Sequence, residues 1–335
     1  MRKVVLILLV VLVTGFGYAE KVATLHEVMK PGAMAADDTQ LYVVENETIY
    51  IFSTKDYKFI KKFGKKGEGP SEFMTVPGIA VTLDVSTDDI LINSWGKISY
   101  FTKDGTFKRE LKAAPGNFGF QPLGDQFLAM GQIFADEKLY NTVNIFDSQL
   151  NKVKEIYRAD TGFKGRGKGM KVFEKTLIIQ AYDNKIFLPG EKDGTIDVFD
   201  TDMKKLFTIT VEVERIKVTQ DFKDKVIHEL KTLPDTKDLY DVLLKPVQFP
   251  DYLPAIQLCR CVDKKVYVMT WKRENEKNEF FIYDMNGKFL KKIDIPITYQ
   301  TELRPYPLTV RNDKLYQLVE NIDEEEWDLY VEEIK

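Results

Sequence analysis

Histidine, cysteine and tryptophan are scarce in this chain of 335 residues, which holds two, two and three of them. His26 and His228 are too few for a zinc site built on two or three histidines. No G-x-S-x-G occurs either, so a Ser–His–Asp hydrolase is not supported. Two cysteines, Cys259 and Cys261, cannot staple a chain of this length, and its stability has to come from packing. Positive charge is not in excess. The net charge of -4 argues against the basic footprint that nucleic-acid binding requires. With 44% apolar and 30% charged residues, the composition is that of a folded globular chain rather than a disordered one.

Long apolar runs are also missing, with one exception at the start. Met1-Arg2-Lys3 is followed by an unbroken apolar run from Val4 to Val13 and then by Gly17-Tyr18-Ala19. A basic start, a short apolar stretch and small residues before a cleavage point describe a secretory signal peptide over 1–19. The run is shorter than the roughly 20 residues that span a bilayer. No later run would cross a membrane, so none is expected after signal removal. Residue 20 is Glu, not the Cys of a lipid-attachment site. The mature domain is therefore expected over 20–335, outside the cytoplasm, in the periplasm or secreted.

A repeat dominates the rest. A polar turn followed by a β-rich apolar run appears as Asp38-Thr39-Gln40-Leu41-Tyr42, Asp88-Asp89-Ile90-Leu91 and Gly124-Asp125-Gln126-Phe127. It returns as Asp183-Asn184-Lys185-Ile186, Asp263-Lys264-Lys265-Val266 and Asn312-Asp313-Lys314-Leu315. Most copies are followed by an aromatic-rich strand, a tight turn and a Lys-rich amphipathic strand. Turns such as Lys103-Asp104-Gly105 and Met285-Asn286-Gly287 are hairpin signals. Each unit reads as a four-stranded antiparallel meander of about 46 residues, a propeller-blade length. Six units predict an all-β, six-bladed β-propeller. The last unit lacks an outer strand, and the spare strand Lys21–Val28 is expected to supply it and close the ring.

Residues 214–254 break the pattern and are expected to form a small helical insertion between blades 4 and 5. Thr219 suits an N-cap. Phe222, Val226, Leu230 and Leu233 fall on one helical stripe. Asp235 and Asp238 resemble a capping box before a second helix ending at Pro246. The pair reads either as a rim element covering apolar surface or as a cap over the channel mouth.

The segment Phe63-Gly64-Lys65-Lys66-Gly67-Glu68-Gly69-Pro70-Ser71-Glu72-Phe73 resembles the Gly-rich signature between the first two blades of NHL-like and TolB-like six-bladed propellers. Phe249-Pro250-Asp251-Tyr252-Leu253-Pro254 is similar to the same family. That resemblance covers nearly all of the mature chain. It implies an exported propeller and says little of activity, since one fold serves many functions.

In such a meander the inter-blade connections and the turns between second and third strands share one face. The unusual loops collect there, where binding usually sits on a rigid scaffold. Candidate contacts on this face are Trp95, Trp271, Arg273, Arg166, Lys168, Lys65 and Lys66. The tryptophans would stack on a sugar or an aromatic side chain, and the cations would meet acidic groups. The first Gly-rich loop lacks P-loop spacing and reads as a turn more readily than as an anion cradle. The expected function is a binding or scaffolding module for a protein, peptide or glycan, acting as a monomer, without a cofactor and without nucleic acid. The alternative is a lactonase- or lyase-like enzyme at the channel mouth. Some six-bladed lactonase-like enzymes hold a cation with carboxylate and amide ligands there. Glu45 and Asn93, at the ends of second strands in adjacent blades, and Glu320 in blade six could contribute to such a cluster, with calcium as the cation that oxygen donors suit. Cys259 and Cys261 are expected as small buried side chains on one face of the inner strand of blade five.

Overall fold

The computed structural model describes residues 19–334 apart from 77, 78, 166, 174, 175, 234 and 235. Residues 1–18 of the expected signal peptide, Arg166, and Asp235 of the expected capping box lie outside the described residues. Six four-stranded antiparallel sheets make six blades, each with its strands in simple meander order. The inner strands are Ala33–Ala36, Thr82–Val85, Asn117–Leu123, Gln180–Tyr182, Ile256–Val262 and Leu308–Arg311. In blade six the outer position is taken by the N-terminal strand Glu20–Thr24, which pairs antiparallel with Glu326–Glu333. Thr24 Oγ1 donates to Asp328 at 2.7 Å and Lys21 pairs with the same carboxylate at 2.8 Å. The strand stops at Thr24 because Leu25 and Val28 turn away from the edge to bury between blades six and one.

The core is divided into six wedges rather than gathered at a centre. Each wedge joins the facing sides of two neighbouring blades, as with Tyr42, Ile51 and Phe101 between blades one and two. The period-two alternation of each strand supplies both wedges beside it, which is why the middle strands are apolar on both faces. The recurring polar phrases are the turns between inner and second strands. Asp183-Asn184, Asp263-Lys264 and Asn312-Asp313 have positive φ at both positions, the type I′ geometry that suits a twisted hairpin. The third and outer strands share a one-residue bulge in blades one to five, always beside an aromatic: Phe52, Phe101, Phe146, Phe199 and Tyr283. Bulges and lysines on the exposed outer strands discourage edge-to-edge pairing with another chain.

The insertion carries helix α1 (Gln220–Thr232), capped as expected by Thr219, whose hydroxyl accepts from the Phe222 amide at 3.2 Å. Val226 on the apolar stripe is buried. The second helix is shorter and less regular than its spacing suggests. A single α turn, Lys237–Leu239, runs into the π turn Tyr240–Leu244 before Pro246. Thr236, its N-cap, makes no capping bond with its side chain. Trp271-Lys272-Arg273, expected in a loop, belongs instead to the extended second strand Lys265–Glu274. The hairpin closes further on, at Asn275-Glu276, where both residues have positive φ.

Candidate functional site

The first Gly-rich loop wraps a cation. Lys97, in the third strand of blade two, is buried, and its Nζ donates to the carbonyls of Glu68 (3.1 Å) and Gly69 (2.7 Å). It also pairs with Glu110 at 2.9 Å. The loop therefore turns its carbonyls inward to an ammonium of the same chain, the reverse of an anion cradle. Glu72 fixes the curl by accepting from the Gly69 amide at 2.8 Å and pairing with Lys65 at 3.1 Å. That amide and Lys65 hold the Glu72 carboxyl below its ordinary range. Gly64 is required by close approach. At φ +88° a Cβ there would stand 2.7 Å from the Glu47 carbonyl and 2.6 Å from the Phe73 ring. Of the candidate contacts here, Lys65 is engaged by Glu72 and Lys66 is exposed. Trp95 is half-buried in the turn of blade two, with its amide bound to the Met74 carbonyl.

The second Gly-rich loop is knitted into the insertion. The amides of Gly167, Met170 and Val172 donate to the carbonyls of Val242, Pro246 and Gln248. Met170–Lys171 runs parallel to Val247–Gln248. Lys168 pairs with Glu137 at 3.3 Å, and Lys164 reaches Gln248 at 2.6 Å. Beneath this seam lies an aromatic cluster. Phe173 packs on Phe222 of α1, on Phe249 and on Trp271, with centroids 5.7, 6.3 and 5.7 Å apart. Trp271 thus seats the insertion on blade five instead of presenting a free face. Its indole nitrogen is buried without a partner among the described residues. Arg273 is likewise engaged. Its guanidinium lies 3.4 Å from the centroid of the Tyr299 ring and donates to the Glu302 carbonyl at 2.9 Å.

Two of the three oxygen donors of the metal alternative are taken up in structural tasks, and the third is exposed. Both Glu45 oxygens accept from backbone amides, those of Met29 (3.3 Å) and Lys30 (2.9 Å), and so tie the connection after the closing strand to blade one. Asn93 is buried and clamps blade three at two points. It donates to the Phe120 carbonyl at 3.0 Å and accepts from the Phe120 amide at 2.8 Å. Glu320 is exposed, opposite Trp327 in the ladder of blade six. Among the described residues no group of three or more His, Cys, Asp and Glu side chains is arranged to hold a metal ion. Cys259 is buried and Cys261 half-buried, both as free thiols, and burial pushes the Cys261 thiol well up.

A concavity with unengaged polar groups lies on the axis. A cavity of 320 Å³ runs between the inner strands, walled by Leu83, Leu258, Tyr267 and Phe280 among others. Its charged side chains are Asp84, Arg260 and Arg311. Arg311 is held at one end by Asp38 (2.7 Å) and Asp263 (2.8 Å), which ties blades five, six and one together. Arg260 is exposed to the cavity and has no hydrogen-bond or ion-pair partner among the described residues. Arg260 and Asp84 are not among the candidates that the sequence suggests. Their one signal was a charge within an otherwise apolar or small-residue inner strand.

This architecture defines a six-bladed propeller with a helical insertion over blades three to five and a polar axial cavity. Residues 27–229 match the family DUF5128, described as a 6-bladed beta-propeller, and the chain belongs to that family. Solved structures resemble it at low identity. They include the luciferin-regenerating enzyme (12% identity, 94% of each chain, TM-score 0.43). BamB from Moraxella catarrhalis gives 11% identity over 89% of this chain and 71% of its own, with a TM-score of 0.31. BBS1N in its complex with ARL6DN gives 13%, 91%, 78% and 0.39. At this distance none bears on what this chain binds. No curated protein matches the chain.

Proposed function

We propose that this chain is an exported binding propeller whose ligand seats in the axial cavity, with the loop face around its mouth. The start of the sequence supports export: a basic triplet, a short apolar run and small residues before Glu20. Among the described residues no helix is long and apolar enough to cross a membrane. The observation that carries the binding reading is the division of labour among the polar side chains. Most candidate contacts on the loop face are engaged in holding the fold. The cavity on the axis keeps a guanidinium that the fold leaves without a partner. Concave sites with apolar walls and a few convergent polar groups are where small ligands bind.

The test is retention of ligands by the mature chain on glycan, peptide and small-molecule arrays, together with product analysis after long incubation. Selective retention with the ligand recovered unchanged is expected. Recovery of a chemically altered ligand would replace the binding reading with an enzymatic one.

A further inference from the structure

The axial cavity offers more than a place to bind. In every blade the inner strand has an open edge toward the axis, so the wall supplies backbone donors and acceptors as well as side chains. Two opposite charges face this space from different blades without meeting. Arg260 comes from blade five, and no carboxylate lies within ion-pair distance of it among the described residues. Asp84 comes from blade two, and its one hydrogen bond is from the neighbouring Val85 amide at 2.8 Å. The two sense each other only at a distance, and both residues are exposed to the open space of the cavity. The hydroxyls of Thr82 and Thr309 line the same cavity and make no hydrogen bond among the described residues.

Arg311 shows that the fold can satisfy a guanidinium in this cavity when it needs one for structure. Two aspartates from neighbouring blades hold it. Arg260 has no such provision, although an arginine fork is built to take a carboxylate in two parallel hydrogen bonds. A volume of 320 Å³ is at the small end of ligand sites, the scale of a metabolite and not of a polymer segment.

Resting on the binding reading above, we propose that the axial cavity takes a small organic acid that also carries a hydroxyl or ammonium group. The carboxylate seats on Arg260 and the second group donates to Asp84. Thr82 and Thr309 offer further hydrogen bonds from the cavity wall. A neutral polyol would leave Arg260 unpaired, and an acid without a donor would leave Asp84 facing a second negative charge. The pair therefore selects for both groups at once.

The test is calorimetric titration of the mature protein with glycerate, gluconate, glucuronate and glutamate, each against a neutral or donor-free counterpart such as glycerol, glucose or propionate. At least one hydroxy or amino acid is expected to bind, with its counterpart about 100-fold weaker or more. Arg260→Gln should weaken that acid by about 100-fold, and Asp84→Asn by about tenfold, with melting temperatures unchanged. If Arg260→Gln does not fold, Asp84→Asn and Thr309→Val carry the test through their smaller losses. Equal binding of acids and counterparts, or an unchanged Kd in Arg260→Gln, overturns the inference. So does no binding by any of the four acids. A glycan or peptide retained alike by the native chain and by Arg260→Gln would overturn it while leaving the binding reading in place. No retained ligand of any kind would remove both.

Discussion

The two Gly-rich loops look alike in sequence and do opposite things. Gly64 to Gly69 closes on itself around Lys97, a cation from the next blade. Gly162 to Gly169 opens outward and docks beneath the helical insertion through the amides of Gly167, Met170 and Val172. In both, glycine is needed because another part of the chain comes too close for a Cβ. What comes close differs: a ring and a carbonyl beside Gly64, and the Pro246 carbonyl, 2.2 Å from a Cβ, at Gly169. Glycine content thus signals tight approach, and the direction of the backbone groups decides whether a loop meets a cation, an anion or another segment.

Breaking the first loop is expected to have the largest effect. Lys97→Met leaves the Glu110 carboxylate and two carbonyls without their ammonium. It should cost about 3 kcal/mol, as removal of one partner from a buried pair does. Urea denaturation checks the value, and rapid protease cleavage within 64–72 of the variant would place the damage in that loop. Should the melting curve not move, the loop does not depend on its cation.

The second loop should fail differently. Phe222→Ala removes one ring of the aromatic seat and is expected to cost about 2 kcal/mol, less than a full core truncation because the ring is half-buried. Hydrogen exchange should quicken across 162–172 and 220–248 while blades one, two and six stay protected. Exchange that quickens evenly around the ring would show that the insertion is not a separate unit of stability. Gly169→Ala should cost about 1–2 kcal/mol through its positive φ and the nearby Pro246 carbonyl. The smallest effect concerns pH. Glu72 has a lowered pKa in the folded state, so the contribution of its ionised form is present at neutral pH. It is lost only as the pH falls below the ordinary glutamate range and through the lowered value. Amide exchange at Gly69, corrected for its intrinsic pH dependence, should rise over that acid range in the native chain and be insensitive to it in Glu72→Gln.

Much of the fold was legible because blades are local. Each is a meander of consecutive strands, so its turns and alternation lie within one stretch of sequence, as Asp263-Lys264 and Asn312-Asp313 show. Thr219 was readable as a cap for the same reason. The candidate site was far less legible. Trp271 and Arg273 suggested ligand contacts because exposure was inferred from a supposed loop. The strand in fact continues to Glu274 and brings both under the insertion or against Tyr299. Asn93 suggested a metal ligand, and its two amide atoms are taken by Phe120 of the next blade. Arg260 is not legible as a candidate because nothing beside it in the sequence shows that it lacks a partner.

Composition, repeat and turn chemistry by themselves determined a six-bladed propeller with an insertion after the fourth blade. These follow from hydrogen bonding and burial between neighbours along the chain. Which side chains were left over for function was decided only when the ring closed. Partners such as Glu68 with Lys97, Phe173 with Trp271 and Asp38 with Arg311 come from different blades or connections. Pairing across the ring depends on the placement of segments far apart in the chain, 273 residues for Arg311 and Asp38, and local pattern carries no record of it.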